Sequence, residues 1–298
     1  MTVPVIAFFN PKGREGTTSL VYNLAWMFSD LGVKVLAVDL DPQAGLTTAF
    51  GMAGSPSSLA QTINDGLVLL PGDLELAVTE EELAVQWQIA LTGNQQALRT
   101  LSEPWRTMTM LASVHDAQLV LVDLGPNFSA INRSGLIGAD HIVVPLTAHS
   151  VSSLKLLGST LEKWRKGLRQ RLDCSPAAAL PERKLAPLGY IIQHRGIVKR
   201  DYQYYTNRAP DYYRKFLLDE LPLSGFSILD DPYNLAVIRA YRSLLPMAQE
   251  AHKPLFHLKP ADGALGAFLQ SAEDARRDFE ALAKAIVAKA NLPITFDR

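Results

Sequence analysis

The chain has 298 residues, of which 48% are hydrophobic and 20% charged, so it is long and apolar enough for a large buried core. Its formal net charge of -1 excludes the overall basic bias of many nucleic-acid-binding proteins. The single cysteine, Cys174, excludes an intramolecular disulfide and is typical of a reducing compartment. The first residues lack a basic segment before an apolar one, and no apolar run approaches the ~18 residues that span a bilayer. We therefore expect a cytoplasmic protein without a signal peptide.

Short apolar runs along the chain predict the strands of a sheet. None of the main runs alternates polar and apolar residues, which indicates strands buried on both faces. The four main runs are Val3–Phe9, Lys34–Val38, Leu119–Val122 and His141–Leu146, with further strands predicted at Gly66–Leu70 and Leu188–Gln193.

Helical patterns separate these runs. Leucines recur at helical spacing in Ser19–Leu31 and in Val151–Leu172. Thr79, followed three residues later by Glu82, predicts a capping box that opens a helix over Glu80–Ile89. Strands that alternate with helices indicate an α/β fold, a mostly parallel sheet with helices on both faces.

The remaining segments complete one predicted domain over residues 1–298. The Pro- and Ala-rich stretch Asp173–Pro187 is typical of a surface linker. Two closing helices are predicted within 231–290, over Asp231–Glu250 and Gly266–Ala290.

The segment from Asn10 to Ser19 joins the first strand to the first helix and has the character of a phosphate-binding loop. A tight strand-to-helix turn directs backbone N–H groups and the positive end of a helix at one point, where anions bind. Thr18 stands where a P-loop hydroxyl binds Mg²⁺. The standard pattern G-x-x-x-x-G-K-[ST] fails twice, because its first position is Pro11 and its lysine position is Thr17.

Carboxylates follow two of the predicted strands. Asp39 and Asp41 come at the end of the second strand, and Asp123 ends the strand that begins at Leu119. The carboxyl ends of parallel strands meet at one edge of a sheet, where ligands collect. An acid at such a strand tip is the Walker B form, which holds the water shell of a phosphate-bound Mg²⁺.

Three motifs resemble those of the ParA/Soj/MinD family of deviant Walker ATPases, which have the P-loop NTPase fold. The similarity runs in order from Val3 to about Gln193. The motifs are Lys12-Gly13-x-x-Gly16-x-Thr18, Asp39-x-Asp41-Pro42-Gln43 and Asp123-x-Gly125-Pro126.

The resemblance implies a protein that binds ATP and Mg²⁺, forms a homodimer around the nucleotide and positions DNA or another cargo. Lys12 matches the lysine that reaches the phosphates of the partner subunit, and Asp41 matches the carboxylate that orients the attacking water. Thr18, Asp39 and Asp123 match positions at the metal. The nucleotide-binding positions implied are Lys12, Gly13, Arg14, Glu15, Gly16, Thr17, Thr18, Ser19 and Gln193, the last near the adenine.

The loop departs from the family pattern Lys-Gly-Gly-x-Gly-Lys-Thr at three places. Arg14 replaces the second glycine, Thr17 replaces the second lysine, and Glu15 at the variable position adds a negative charge near an anion site. Three alternatives follow: ATP binding with weakened or absent hydrolysis, a catalytically inactive protein-interaction module, or an active ATPase in which Arg14 supplies the missing charge.

Two basic segments are candidate partner surfaces. The segment 195–217 interleaves basic residues with tyrosines, which suits phosphate and base contacts, a protein interface, or packing of the tyrosines on the domain. The last predicted helix lacks a long apolar face, so membrane binding is not expected. A basic helix face that could bind DNA non-specifically carries Lys163, Arg165, Lys166, Arg169 and Arg171.

Overall fold

The computed structural model describes residues 3–56, 59–147, 149–172, 185–193, 208–220 and 228–296, and for 165–172 the backbone alone. Within these ranges the chain forms one eight-stranded sheet with the order β3-β4-β2-β5-β1-β6-β7-β8. The strands are β1 Val5–Phe8, β2 Val35–Asp39, β3 Gln61–Asn64, β4 Leu67–Leu70, β5 Leu119–Asp123, β6 His141–Leu146, β7 Ala186–Gln193 and β8 Asn234–Ile238.

The predicted α/β fold is confirmed, because every neighbouring pair of strands is parallel except β3 and β4. The edge strand β3 is absent from the sequence prediction. Its four residues are polar or half-buried and lack the apolar run that marks the central strands. A short turn at Asp65 and Gly66 brings it back onto β4.

Ten α-helices lie in the described ranges and cover both faces of the sheet. Helix α1 begins at Thr17, the position at which the family pattern has its second lysine. The helices are α1 Thr17–Asp30, α2 Gly45–Ala49, α3 Leu76–Ala90, α4 Gln95–Leu101, α5 Glu103–Val114, α6 Ala130–Ile137, α7 Ser153–Leu172, α8 Ala209–Tyr213, α9 Leu245–Ala251 and α10 Ala267–Ala290. Among the described residues, no helix is both long and apolar enough to cross a bilayer.

The predicted capping box at Thr79 is wrong. Helix α3 already begins at Leu76, so Thr79 lies within its first turn. The helix starts earlier because the Asp73 carboxylate accepts a hydrogen bond from the Glu75 backbone N–H at 2.9 Å, an Asx turn that leads into the helix. The hydroxyl of Thr79 instead donates weakly to the Glu75 carbonyl at 3.5 Å.

The first predicted closing helix is also wrong in its first half. Residues Asn234–Ile238 form β8, which pairs with β7, and only Leu245–Ala251 is helical. Over so short a span, the apolar residues of this strand are compatible with a helix as well as with a strand. Pairing with β7 therefore determines the conformation of this segment. The predicted linker also extends too far, because Ala186 and Pro187 belong to β7, and its residues 173–184 lie outside the described residues.

The two faces of the sheet carry separate hydrophobic cores. Side chains alternate along β1, so that Val5 and Ala7 pack beneath the α3–α7 layer. Ile6 and Phe8 pack on the opposite face against α1, α9 and α10. Each fully buried large apolar side chain contributes roughly 1.5–3 kcal/mol. The layers hold the ends of β1, β2 and β5 together at one edge of the sheet.

A buried ion pair anchors the described part of the 195–217 segment to the sheet. The Arg214 guanidinium donates to Asp231 at 2.6 Å, and the Tyr190 hydroxyl on β7 donates to the same carboxylate at 2.5 Å. Arg214 and its neighbour Tyr213 are buried, so neither is available to contact a partner protein. Residues 194–207 lie outside the described residues, and the predicted partner surface there stays a prediction.

We predict that Arg214→Ala lowers the free energy of unfolding by about 3–5 kcal/mol, because it leaves the Asp231 carboxylate buried without its cation. The matched control is Arg239→Ala, which removes an arginine 51% exposed that pairs with Asp274 and Asp278. The control should cost about 1 kcal/mol or less. Urea denaturation measures both variants, and equal losses would contradict the anchoring role.

Candidate functional site

The N-terminus of α1 faces the edge where β1, β2 and β5 end. Gly16 precedes the helix in a left-handed conformation, with φ of 76°, and no side chain of the described residues caps the helix start. The first helical hydrogen bond is donated by Leu20 to the Gly16 carbonyl at 3.0 Å. The N–H groups of Thr17, Thr18 and Ser19 therefore have no intrahelical acceptor, and they form the positive end of the helix.

A pocket of about 590 Å³ lies against this helix start. The structure brings together eight of the predicted site residues around it, and the remaining walls come from α1, α2, the residues just after β5 and the segment that begins at α9. The predicted residues that line it are Lys12, Arg14, Glu15, Gly16, Thr17, Thr18, Ser19 and Asp41. Gly13, Asp39, Asp123 and Gln193 are not in its wall.

Asp123 is a buried carboxylate at the tip of β5. It is 1% exposed, and neither of its oxygens makes a hydrogen bond of normal geometry to a described residue, although the Thr18 hydroxyl is nearby. Burial, and then the charge of Asp39 on the paired strand, raise the pKa of Asp123 well above its usual value, and the Thr18 hydroxyl offsets part of that rise. An uncompensated buried carboxylate is costly, so this position suits a cation or a donor that arrives with a ligand.

Asp39 lies beside Asp123 because β2 and β5 pair in parallel register. One Asp39 oxygen accepts from the Asp41 N–H at 3.1 Å, and the other accepts from the backbone and hydroxyl of Thr47 at 2.8 and 2.7 Å. Burial raises the pKa of Asp39 to about 6 despite these bonds. The carboxylate therefore fixes the β2–α2 loop, and its predicted place at the metal stays a prediction.

Asp41 is half-buried in the pocket wall, within the β2–α2 loop that Asp39 holds. One of its oxygens accepts from the Gln43 N–H at 3.0 Å. Gly125, after β5, approaches it closely, and a Cβ added there would lie 3.2 Å from the Asp41 carboxylate carbon. The glycine thus leaves room for a carboxylate at the mouth of the pocket.

Two cationic residues of the loop lie at the pocket. Lys12 is exposed, and its Nζ donates to the His149 carbonyl of its own chain at 2.5 Å. Arg14 is exposed and has a left-handed backbone with φ of 67°. The position therefore keeps the glycine-like conformation expected from the family pattern, although an arginine costs about 1–2 kcal/mol more in that region.

Glu15 was predicted to add a negative charge near the anion site, but its carboxylate lies against the connection between β6 and α7. Glu15 is only 4% exposed, and its carboxylate accepts hydrogen bonds from Thr147 and Ser150 in the connection between β6 and α7. The side chain thus points into the protein, away from the helix start. Only its backbone remains available to the pocket.

Gln193 also takes a different place from the one that the sequence suggests. Its amide donates to the Glu15 carbonyl at 2.7 Å, and its Oε1 would lie 2.5 Å from a Cβ added to Gly16. It therefore supports the loop from beneath. The outer wall of the pocket comes from Leu245, Ala248 and Gln249 of α9, which were predicted within the undivided helix Asp231–Glu250, and from His252 just beyond it.

No group of three or more His, Cys, Asp or Glu side chains in the described part of the chain could hold a metal ion. A divalent cation at this edge would need ligand oxygens from a bound phosphate together with Thr18 and Asp123. The unpartnered oxygens of Asp123 fit that requirement, since Mg²⁺ keeps several waters and binds through one or two carboxylates and substrate phosphates.

Comparison with known proteins agrees with this geometry. A family model described as an AAA domain matches residues 3–174. The chromosome-partitioning ATPase Soj of Thermus thermophilus is 33% identical over 179 residues, which are 56% of this chain and 65% of that protein. The chromosome partitioning protein ParA of Caulobacter vibrioides is 26% identical over 57% of this chain and 66% of its own length. The match thus spans slightly less than two thirds of the length of each of these relatives.

Solved structures share the fold over nearly the whole chain. A variant of Cyanothece McdA in complex with ATP has a TM-score of 0.65 at 17% identity and covers 99% of each chain. MinD of Pyrococcus horikoshii, complexed with Mg-ADP, has a TM-score of 0.60 at 18% identity and covers 98% of this chain and 100% of its own. The phosphate loop, the acidic strand tips and the matched family model show that the chain belongs to the ParA/Soj/MinD family of P-loop ATPases.

Proposed function

We propose that the chain binds ATP with Mg²⁺ at the start of α1, forms a nucleotide-dependent homodimer in the cytoplasm, and positions DNA or another cargo, with weakened or absent hydrolysis. The observation that carries the proposal is the pocket of about 590 Å³ against the free N–H groups of α1. Proteins similar to this chain support the proposed class of function. The Thermus thermophilus relative is a chromosome-partitioning ATPase, and the Cyanothece structure is a complex with ATP.

Each part of the pocket has a place in this proposal. The N–H groups of Thr17, Thr18 and Ser19 bind the phosphates, as helix starts bind anions. The Thr18 hydroxyl and the Asp123 carboxylate hold Mg²⁺, which neutralises phosphate charge when bound. Asp41 orients the attacking water.

The base and sugar lie toward α9 in this proposal, because Gln193 does not reach the pocket wall. Lys12 leaves the His149 carbonyl to reach the partner subunit's phosphates in the dimer.

Thr17 weakens the site because it provides no cation beside the phosphates. A hydrogen bond to a charged group is worth about 1.5–3 kcal/mol, which corresponds to about a tenfold to hundredfold loss of affinity. The loss in hydrolysis is larger, because charge stabilisation of the transition state is usually the main catalytic contribution. Arg14 lines the same pocket and compensates in part, since arginine binds phosphate well.

The alternative function is that of an inactive protein-interaction module that needs no nucleotide. Thr17 favours it, as does the hydrogen bond that keeps Lys12 on its own chain. The two proposals differ in whether ATP changes the oligomeric state, which gel filtration with and without ATP–Mg²⁺ determines.

We predict that Arg14→Gly weakens ATP affinity about tenfold, because it removes a cation from the pocket, whereas the matched variant Arg14→Lys stays within about threefold. Stability should change by about 1 kcal/mol or less, since glycine relieves the left-handed backbone but costs chain entropy. Thr17→Lys should tighten binding by about the tenfold to hundredfold that the missing lysine costs. Titration calorimetry measures the ATP affinity of the three variants. An unchanged affinity in Arg14→Gly would show that the arginine does not contact the phosphates.

We predict that Asp123→Asn stabilises the nucleotide-free protein and abolishes Mg²⁺-dependent ATP binding. Removing a buried charge should raise the free energy of unfolding by about 1–2 kcal/mol at pH 7, which corresponds to a rise in Tm of roughly 2–8 °C. The difference should shrink as pH falls, because the raised pKa of Asp123 means that protonation removes the same charge in the wild type. The control Glu81→Gln, at an exposed residue of α3, should change neither Tm nor Mg²⁺-dependent ATP binding. A lower Tm in Asp123→Asn would contradict this prediction.

We also propose non-specific DNA binding by the basic face of α7. Lys163 is exposed, whereas the side chains of Arg165, Lys166, Arg169 and Arg171 lie outside the described residues. Replacing Arg165, Lys166 and Arg169 by alanine should abolish the mobility shift that the wild type gives at low salt, because about three phosphate contacts are lost. Equal binding by the triple variant would place any DNA contact elsewhere.

A further inference from the structure

Glu15 is a buried acid in the middle of an otherwise exposed loop. It is 4% exposed, whereas Lys12, Gly13 and Arg14 before it are all exposed. A carboxylate taken out of water is costly unless hydrogen bonds compensate it, and no ion pair with Glu15 occurs in the parts of the chain that the structure covers. Its position beside an anion pocket therefore needs a structural reason.

The carboxylate is held by the connection between β6 and α7. Its Oε2 accepts from the Thr147 backbone N–H at 2.8 Å and from the Ser150 hydroxyl at 2.6 Å. Thr147 and Ser150 are themselves buried. Two donors to one charged oxygen make a strong local attachment, because charge-assisted hydrogen bonds are about twice as strong as neutral ones.

The main chain of Glu15 is held as well. Its carbonyl accepts from the Gln193 amide at the end of β7 at 2.7 Å. Gly16 follows in the left-handed conformation that starts α1, and a Cβ at this position would displace the Gln193 amide from its place against the loop. The strand tips of β6 and β7 thus fix the residue that sets the direction of the first N–H groups of α1.

We propose that Glu15 is a positioning residue of the nucleotide site, which fixes the phosphate loop to the β6–α7 connection and so holds the helix-start N–H groups ready for phosphate. This inference rests on the proposed nucleotide binding. Because Thr17 provides no cation, phosphate affinity depends more heavily on N–H groups that are already oriented before binding. Glu15 supplies that orientation while its own charge faces away from the ligand.

The test is a double-mutant cycle on the full chain, with a fluorescent ATP analogue and Mg²⁺ as the probe. Glu15→Ala should raise Kd about tenfold and Ser150→Ala about threefold, because the Thr147 N–H still holds the carboxylate in the second variant. The double variant should bind about as weakly as Glu15→Ala alone, because the Ser150 hydroxyl acts only through Glu15. Titrations are made at a temperature where every variant is folded. If Glu15→Ala does not fold, Ser150→Ala still tests the link.

Two controls separate positioning from general stability. Glu15→Gln keeps an acceptor oxygen for Thr147 and Ser150 and should bind within about threefold of the wild type. Tyr190→Phe removes a buried hydrogen bond to Asp231 away from the loop and should lower Tm with Kd unchanged.

The outcomes distinguish this inference from the function on which it rests. Additive effects of the two alanine substitutions, or a wild-type Kd in Glu15→Ala, would overturn the positioning role while nucleotide binding stands. No binding of the analogue by the wild type would overturn the proposed function, and the inference with it.

Discussion

The parallel register of β1, β2 and β5 is the constraint on which the candidate site depends. It places Asp39 directly beside Asp123, and it brings both in front of the start of α1. Two neighbouring carboxylates at buried strand tips repel each other, and burial raises the pKa of each. The two cores that sandwich the sheet provide the stability that offsets this cost. A fold that retains such an arrangement keeps a place for positive charge, which the helix start and a phosphate-bound Mg²⁺ would fill.

The altered residues of the loop take different roles in the structure. Arg14 has a left-handed backbone, a conformation that favours glycine, and the Glu15 carboxylate is hydrogen-bonded inside the protein. Thr17 opens the helix and leaves the N–H groups of the first turn available. Of the three departures from the family pattern, only the lost lysine changes the charge facing the ligand unfavourably. The loop therefore still leads into a helix start that faces the pocket, and we expect its attraction for phosphate to be lower without the lysine.

Sequence reasoning succeeded where a pattern depends on local periodicity, and it failed where tertiary contacts decide. The buried runs that became β1, β2, β5 and β6 were predicted within two residues, because strands buried on both faces are uniformly apolar. The motifs likewise located Thr18, Asp41 and Asp123. The inward turn of Glu15 depends on donors that lie more than 130 residues away in Thr147 and Ser150, which no spacing rule reveals. Strand β8 was missed because its pairing with β7, rather than its own residues, sets its conformation.

The most direct measurement is calorimetry of ATP binding to the purified wild-type protein in the presence of Mg²⁺, with Asp123→Ala in parallel. We predict that the wild type binds ATP and that Asp123→Ala does not, because Asp123 would hold the cation that accompanies the phosphates. Absence of binding at millimolar ATP would contradict it and would favour a fold retained for its protein-interaction surfaces.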